Sequence, residues 1–377
     1  MFEYSEEDNE KNEPSEEPDR GPPGLRRIVL MAASMAFLAL LATFWLFFGR
    51  GGKANGSDGE GDSSPAPRGD VFVAGYEKDS EGRSLATLWK NGQVLHRLTA
   101  GGHHGRALSV FCQGDDVYVA GYEENDPGVT VATVWKNGQA LHRLTADGHH
   151  GRALSVFCQG DDVYVAGYEE SDPGVTIATV WKNGEVQLHL GSGQPQARAN
   201  AVAVAEGNVY AAGHELDGQG RQFATLWESG EPTRLCDGIF DAAANSVLLV
   251  GADVYVAGVE GQAATVWKNG TVFYHFADGE QHSCANALFL SGDVLYVAGY
   301  ETSIHGSKSA VLWTNGVPTA LGEPDQESEA LSCVTLGGDV YVAGQDGGAA
   351  VVWKNGAILH RLTNGHFGSA GYSVFIQ

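Results

Sequence analysis

Between Arg106 and Thr145, apolar and polar positions alternate in short runs separated by turn residues. Ala107-Leu-Ser-Val-Phe-Cys112 reads as a half-buried strand, and Gln113-Gly-Asp-Asp116 as a turn. Val117-Tyr-Val-Ala120 is a second strand, with Val117 and Val119 on one face and Tyr118 and Ala120 on the other. Glu123-Glu-Asn-Asp-Pro-Gly128 reads as a loop, and Ala132-Thr-Val-Trp135 as a third strand. Lys136-Asn-Gly138 predicts a tight hairpin, because Asn-Gly tolerates the positive φ angles of a type I′ turn. Leu141-His-Arg-Leu144 is a fourth strand whose polar residues suit an edge facing water.

The unit returns along the chain. The glycine that closes the second strand falls at Gly75, Gly121, Gly167, Gly213, Gly258, Gly299 and Gly344. A Trp-x-x-Gly element follows each time, at Trp89, Trp135, Trp181, Trp227, Trp267, Trp313 and Trp353. A period of about 45 residues means one supersecondary unit per repeat, stacked so that neighbours bury each other's apolar faces. Four antiparallel strands in seven copies predict an all-β, seven-bladed β-propeller over residues 69–377, with strands A to D running from inside to outside. A solenoid fits less well, since no terminal copy resembles a polar cap. The repeat opens on a B strand, Val71-Phe-Val-Ala-Gly75, and ends on an A strand, Ser373-Val-Phe-Ile-Gln377, so the last strand is expected to complete the first blade.

The order of a strand after an arginine, a glycine turn, a VYVAG strand and an aromatic-bearing strand resembles the kelch-type propellers over residues 69–377. A single glycine replaces the kelch Gly-Gly pair, and the tryptophan ends strand C. The chain is also similar to the VYVAG…WKNG repeats of bacterial surface and secreted proteins. Both resemblances imply the fold and leave activity open.

The first 68 residues lie outside the repeat. Residues 1–27 begin as an acidic stretch with little apolar content, expected to be disordered. Ile28 to Phe48 is an uncharged, mostly apolar run long enough to cross about 30 Å of hydrocarbon as one transmembrane helix. It exceeds the apolar core of a cleaved signal peptide. Arg20, Arg26 and Arg27 on its N-terminal flank, against Arg50 and Lys53 beyond it, favour a cytoplasmic N-terminus and an extracytoplasmic propeller. Residues 49–68 read as a flexible linker rich in Gly, Ser and Pro.

A net charge of −24 excludes nucleic acid as a default partner. The five cysteines are odd in number and show no CxxC spacing, so they are expected to be mostly free and partly buried in strands.

Antiparallel order puts the A–B and C–D turns at one end of the blades and the B–C and D–A loops at the other. The first end is repetitive, and the second carries the length variation, so function is expected there. The D–A loops hold His103, His104 and Arg106, then His149, His150 and Arg152, with Arg198 in the aligned position of the next blade. Three successive arginines at the start of the innermost strand are expected to line the mouth of a central channel, where a guanidinium can grip a carboxylate or sulfate. The bland alternative pairs them with loop carboxylates. Glu123 and Glu169 head acidic B–C loops, which read as solvated surface or, with the histidines, as the acids and bases of a polysaccharide-active enzyme. These loops lack calcium-loop spacing, and the His pairs of two near-identical segments are a weak transition-metal candidate. The seven tryptophans are expected to pack between blades. No GxSxG, HExxH, P-loop or sialidase Asp box occurs. The expected function is a binding module for a protein, peptide or glycan through Arg106, Arg152, Arg198, His104, His150, Glu123 and Glu169, with no cofactor or metal. A lyase or glycosidase and a purely structural surface module are the alternatives.

Overall fold

The computed structural model describes residues 69–377, apart from 100–102, 127, 146–147, 173, 192–195, 277–281, 304–305 and 323–325. The expected acidic tail (1–27), transmembrane helix (28–48) and linker (49–68) lie outside the described residues. The described residues form seven four-stranded antiparallel sheets. Blade 1 comprises β1 (Val71–Lys78), β2 (Ser84–Lys90), β3 (Gln93–Arg97) and the last strand of the chain, β28 (Ala370–Ile376). Blade 2 is β4 (Gly105–Gln113), β5 (Asp116–Asp126), β6 (Val129–Lys136) and β7 (Gln139–Arg143). Blades 3 to 7 repeat this order, opening on innermost strands β8 (Gly151–Gln159), β12 (Arg198–Ala205), β16 (Ala242–Val250), β20 (Ser283–Ser291) and β24 (Ser328–Leu336). The clasp expected from the chain ends is present: β28 pairs with β1 through Phe72↔Phe375 and Val73↔Val374. Several strands run further than expected. The second strands of blades 2 and 3 run to Asp126 and Asp172, so Glu123 and Glu169 lie on strands, paired with Val131 and Ile177. The β-branched partners Val129, Thr130 and Val131 extend the ladder where the carboxylates had read as a loop.

Each joint between blades has its own apolar cluster, and the tryptophans sit in them as expected. Trp135 of blade 2 is 1% exposed and packs on Phe72, Ala74, Leu88 and Leu98 of blade 1. The pattern repeats around the ring, and Trp89 meets Tyr341, Ala343 and Val352 of blade 7. Burying one such side chain contributes about 3 kcal/mol, at the upper end for large apolar groups.

A second set of contacts ties the innermost strands together. The hydroxyls of Ser332, Ser373, Ser109 and Ser155 accept the backbone N–H of Val374, Val110, Val156 and Val202 in the following blade. At the remaining joints Asn200, Asn245 and Asn286 donate to the carbonyls of Ala244, Ala285 and Ala330. These polar side chains are set by a β-bulge that recurs in every innermost strand, between Ala107 and Ser109 in blade 2. The bulge also explains the glycine of the repeat. A Cβ on Gly121 would collide with the carbonyl oxygen of Arg106.

The opposite end of five blades carries a polar clamp. Asn137 and Gly138 adopt φ of 50° and 83°, the expected type I′ geometry. A Cβ at Gly138 would lie 2.6 Å from the ring of His96 in blade 1, a second demand for glycine. Asn137 Oδ1 accepts the Val117 N–H at 2.8 Å, and its Nδ2 donates to Asp116 Oδ1 at 2.9 Å. Lys136 Nζ lies 2.8 Å from the other Asp116 oxygen and 5.1 Å from the Tyr118 ring centroid. Blades 1, 3, 5 and 7 repeat the clamp with Asp70, Asp162, Asp253 and Asp339.

The five cysteines are free, as expected, and Cys112, Cys158, Cys284 and Cys333 are buried. Desolvation pushes these four thiols up to about 12, which keeps them protonated and unreactive.

The clamps give stability a pH dependence of known sign. Hydrogen bonds from the lysine, then from the asparagine, hold the five aspartates below the ordinary 3.8. A carboxylate depressed in the folded state contributes fully above its unfolded pKa, and the contribution is lost as pH falls through the folded value. Thermal melts from about pH 7 to about pH 2 should therefore show a falling melting temperature below about pH 4. The fall should be shallower in a variant carrying Asn at positions 70, 116, 162, 253 and 339. Equal acid limbs would show that the clamps carry no such term.

Candidate functional site

The B–C hairpins and D–A connections share one end of the blades. There the three aligned arginines stand at the start of the innermost strands of blades 2, 3 and 4. Their guanidinium carbons lie over the rings of tyrosines in the preceding blade: Arg106 over Tyr76 at 4.3 Å, Arg152 over Tyr122 at 4.5 Å, and Arg198 over Tyr168 at 4.7 Å. Each tyrosine follows the repeat glycine on strand B. Tyr122 and Tyr168 are also the register partners of Arg106 and Arg152 within their own blades. The result is an alternating tyrosine–arginine ladder across three joints. At one end Tyr372 stacks on Tyr76, with ring centroids 5.8 Å apart, and accepts a hydrogen bond from Arg106 Nη1 at 2.8 Å. Burial pushes the Tyr372 phenol up to about 12, although Arg106 beside it acts in the other direction. At the other end Arg198 pairs in register with His214. Burial, followed by the nearby Arg198 charge, lowers His214 to about 4, so the imidazole is neutral at physiological pH.

The arginines do not meet carboxylates, the partners that the bland sequence reading gave them. The described propeller holds nine arginines, and Arg83, Arg97, Arg143, Arg221, Arg234 and Arg361 form ion pairs. Among the described residues, Arg106, Arg152 and Arg198 pair with no acid. The Nε atoms of Arg106 and Arg152 are buried without a hydrogen-bond partner. The face of a tyrosine stabilises a guanidinium by about 0.5–1 kcal/mol at a partly exposed site, while leaving donors unused.

The other candidate residues are engaged elsewhere. Glu123 pairs with Arg143 of its own blade at 2.8 Å, and Glu169 lies 3.4 Å from His189. Successive strand residues point to opposite faces. Glu123 is therefore turned away from Tyr122 and the ladder. His104 and His150 accept the backbone N–H of Ser84 and Thr130 through Nδ1, each at 3.2 Å. These bonds fasten the entry of one blade to strand C of the blade before it. The three arginines thus stand at successive joints of one ladder, while Glu123, Glu169, His104 and His150 make their contacts away from it. Among the described residues, no three His, Cys, Asp or Glu side chains converge as a metal site.

Two features of this end escaped sequence reasoning. The tyrosine platform was legible as the repeated Gly-Tyr at Tyr76, Tyr122 and Tyr168, but a tyrosine on a strand face reads first as packing. The D–A connections also expose apolar side chains: Ile239 is 73%, Phe240 63% and Phe367 54% exposed. Asp237 caps the turn carrying the first pair through the Ile239 N–H at 2.9 Å.

No family model matches the chain. No curated protein matches it either. Similar solved structures include the WD40 β-propeller domain of Doa1, at 13% identity and TM-score 0.39, with 68% of this chain and 82% of that chain covered. Trypanosoma rangeli sialidase in complex with the inhibitor DANA aligns at 12% identity and TM-score 0.43, over 81% of this chain and 57% of the sialidase. Pyrococcus horikoshii acylaminoacyl peptidase aligns at 12% identity and TM-score 0.48, over 79% of this chain and about half, 51%, of the peptidase.

Proposed function

We propose that the chain is an interaction module that binds anionic groups of a protein, peptide or glycan at the B–C/D–A end of its inner ring. The observation that carries this reading is the set of three successive arginines without acids, in a chain of net charge −24 where the other described propeller arginines are paired. Placing like charges in adjacent blades is unfavourable unless something offsets it. The tyrosine faces offset part, and a carboxylate or sulfate would offset the rest through charge-assisted hydrogen bonds of about 1.5–3 kcal/mol each. Ile239, Phe240 and Phe367 supply apolar contact area at the same end. Nothing in the geometry favours the lyase or glycosidase alternative, since Glu123 and Glu169 are tied to Arg143 and His189.

In titrations of the full chain with glutamate-rich peptides and sulfated oligosaccharides, binding should weaken with added salt. Arg106→Gln, Arg152→Gln and Arg198→Gln should each lower affinity about ten-fold or more, with little change in melting temperature. A triple variant that binds as the parent does would overturn the reading, and an absence of binding to either class would favour a purely structural module.

In the same proposal residues 28–48 anchor the chain in a membrane with the propeller on the extracytoplasmic side, on the strength of the apolar run and the Arg26/Arg27 flank. Protease added to intact cells should then remove propeller epitopes. Full protection until lysis would place the propeller in the cytoplasm.

A further inference from the structure

The β-bulge leaves one residue of each innermost strand out of register. In blades 4 to 6 that residue is an asparagine, and it reaches the start of the innermost strand ahead. Asn200, Asn245 and Asn286 meet the carbonyls of Ala244, Ala285 and Ala330 there. The amide nitrogens of Asn245 and Asn286 also donate to Cys284 Sγ and Glu329 Oε1. In blades 2 and 3 the position holds Leu108 and Leu154, so Arg152 and Arg198 in the blades ahead receive no acceptor from it. Blade 1 differs from both groups. Its bulge residue is Tyr372, whose hydroxyl accepts Arg106 Nη1 at 2.8 Å. Among the described residues, nothing accepts the hydroxyl's own hydrogen. Burial, against the influence of Arg106, pushes the phenol up to about 12, so that hydrogen stays in place at neutral pH. The stack on Tyr76 holds the ring. A half-buried donor without an acceptor is unfavourable, and this one stands beside a guanidinium that meets no acid.

We propose that the Tyr372 hydroxyl donates its hydrogen to the anion bound beside Arg106, so that the C-terminal strand supplies part of the binding site and the site selects an oxyanion carrying no proton. The assignment rests on the anion-binding reading above and narrows its ligand. The groups offered to the anion are N–H and O–H donors, with no carboxylate beside the arginines to take a proton from it. A sulfate ester or a carboxylate presents bare oxygens to such donors. A singly protonated phosphate ester must turn an O–H toward them or leave one donor unmet.

Titration of the full chain with the glutamate-rich peptide and the sulfated oligosaccharide shows which of the two carries the anion. Tyr372→Phe keeps the ring stack and removes the hydroxyl. It should lower affinity for whichever probe binds by about ten-fold, at an unchanged melting temperature. Tyr372→Leu, which installs the residue of blades 2 and 3 at this position, should weaken binding at least as much. Methyl sulfate and methyl phosphate then test the selectivity. At about pH 5 both are chiefly monoanions, so they differ in the proton and not in charge. Methyl sulfate should bind about five-fold or more tightly than methyl phosphate. That preference should shrink in Tyr372→Phe, whereas a tyrosine that only steers Arg106 would leave it as it was. Full affinity in Tyr372→Phe beside weakened binding in Arg152→Gln would overturn this assignment and spare the anion-binding reading. Equal binding of the two methyl esters by the parent would also overturn it. Parent-like binding in the triple arginine variant, or no binding of any probe by the parent, would remove both.

Discussion

Every blade of this protein depends on having a neighbour on both sides. One face of each sheet presents its tryptophan to the blade before, and the other presents a tyrosine or leucine to the tryptophan of the blade after. An open chain of blades would leave one such face in water at each end, at a cost of several kcal/mol for each exposed cluster. The constraint is met by closing the ring, and closure falls to the final strand, β28. Its Ser373 and Val374 hydrogen-bond to blades 2 and 7 respectively, so one short segment completes two joints of the inner ring.

The demand for closure fixes most of the sequence and limits where function can sit. The bulge, the glycine opposite it and the tryptophan recur because each joint has the same geometry, and the Asp-Lys-Asn clamp recurs within five blades. Chemistry is available only where a position is exempt. Two exemptions stand out. The start of the innermost strand carries arginine in blades 2 to 4, but Ala243, Cys284, Glu329 and Ala370 elsewhere. The acid-binding position of strand D carries Ala320 in blade 6. One departure gathers positive charge in an acidic protein. The other places alanine where strand D of blade 2 carries Arg143.

Much of the fold was legible in the sequence. Period-two alternation located the strands, Asn-Gly located the hairpins, and the B-first, A-last order of the repeat located the closing strand. Less was legible at the ends of the strands. The acidic run from Glu123 and from Glu169 into Asp-Pro-Gly resembles a loop, yet β-branched partners hold both glutamates in the ladder. Their contacts with Arg143 and His189 link residues about twenty positions apart, which no local pattern reveals. The three arginines were found from their alignment, but the tyrosine faces beneath them come from the adjacent blade and require the ring. The bulge was invisible, because one extra residue in a strand leaves the hydrophobic alternation nearly intact. Ala320 was in plain sight, and only the register of strand D shows which side chain it replaces.

The central claim is that the C-terminal strand is an equal member of the ring. Native-state hydrogen exchange tests it most directly, since it reads the opening free energy of individual amides. The Val374 and Val110 amides, bonded to Ser332 and Ser373, should exchange only through global unfolding, at the same free energy as Val156 and Val202. If Val374 and Val110 exchange through a local opening at markedly lower free energy than Val156 and Val202, β28 is a peripheral strap and the ring does not depend on it.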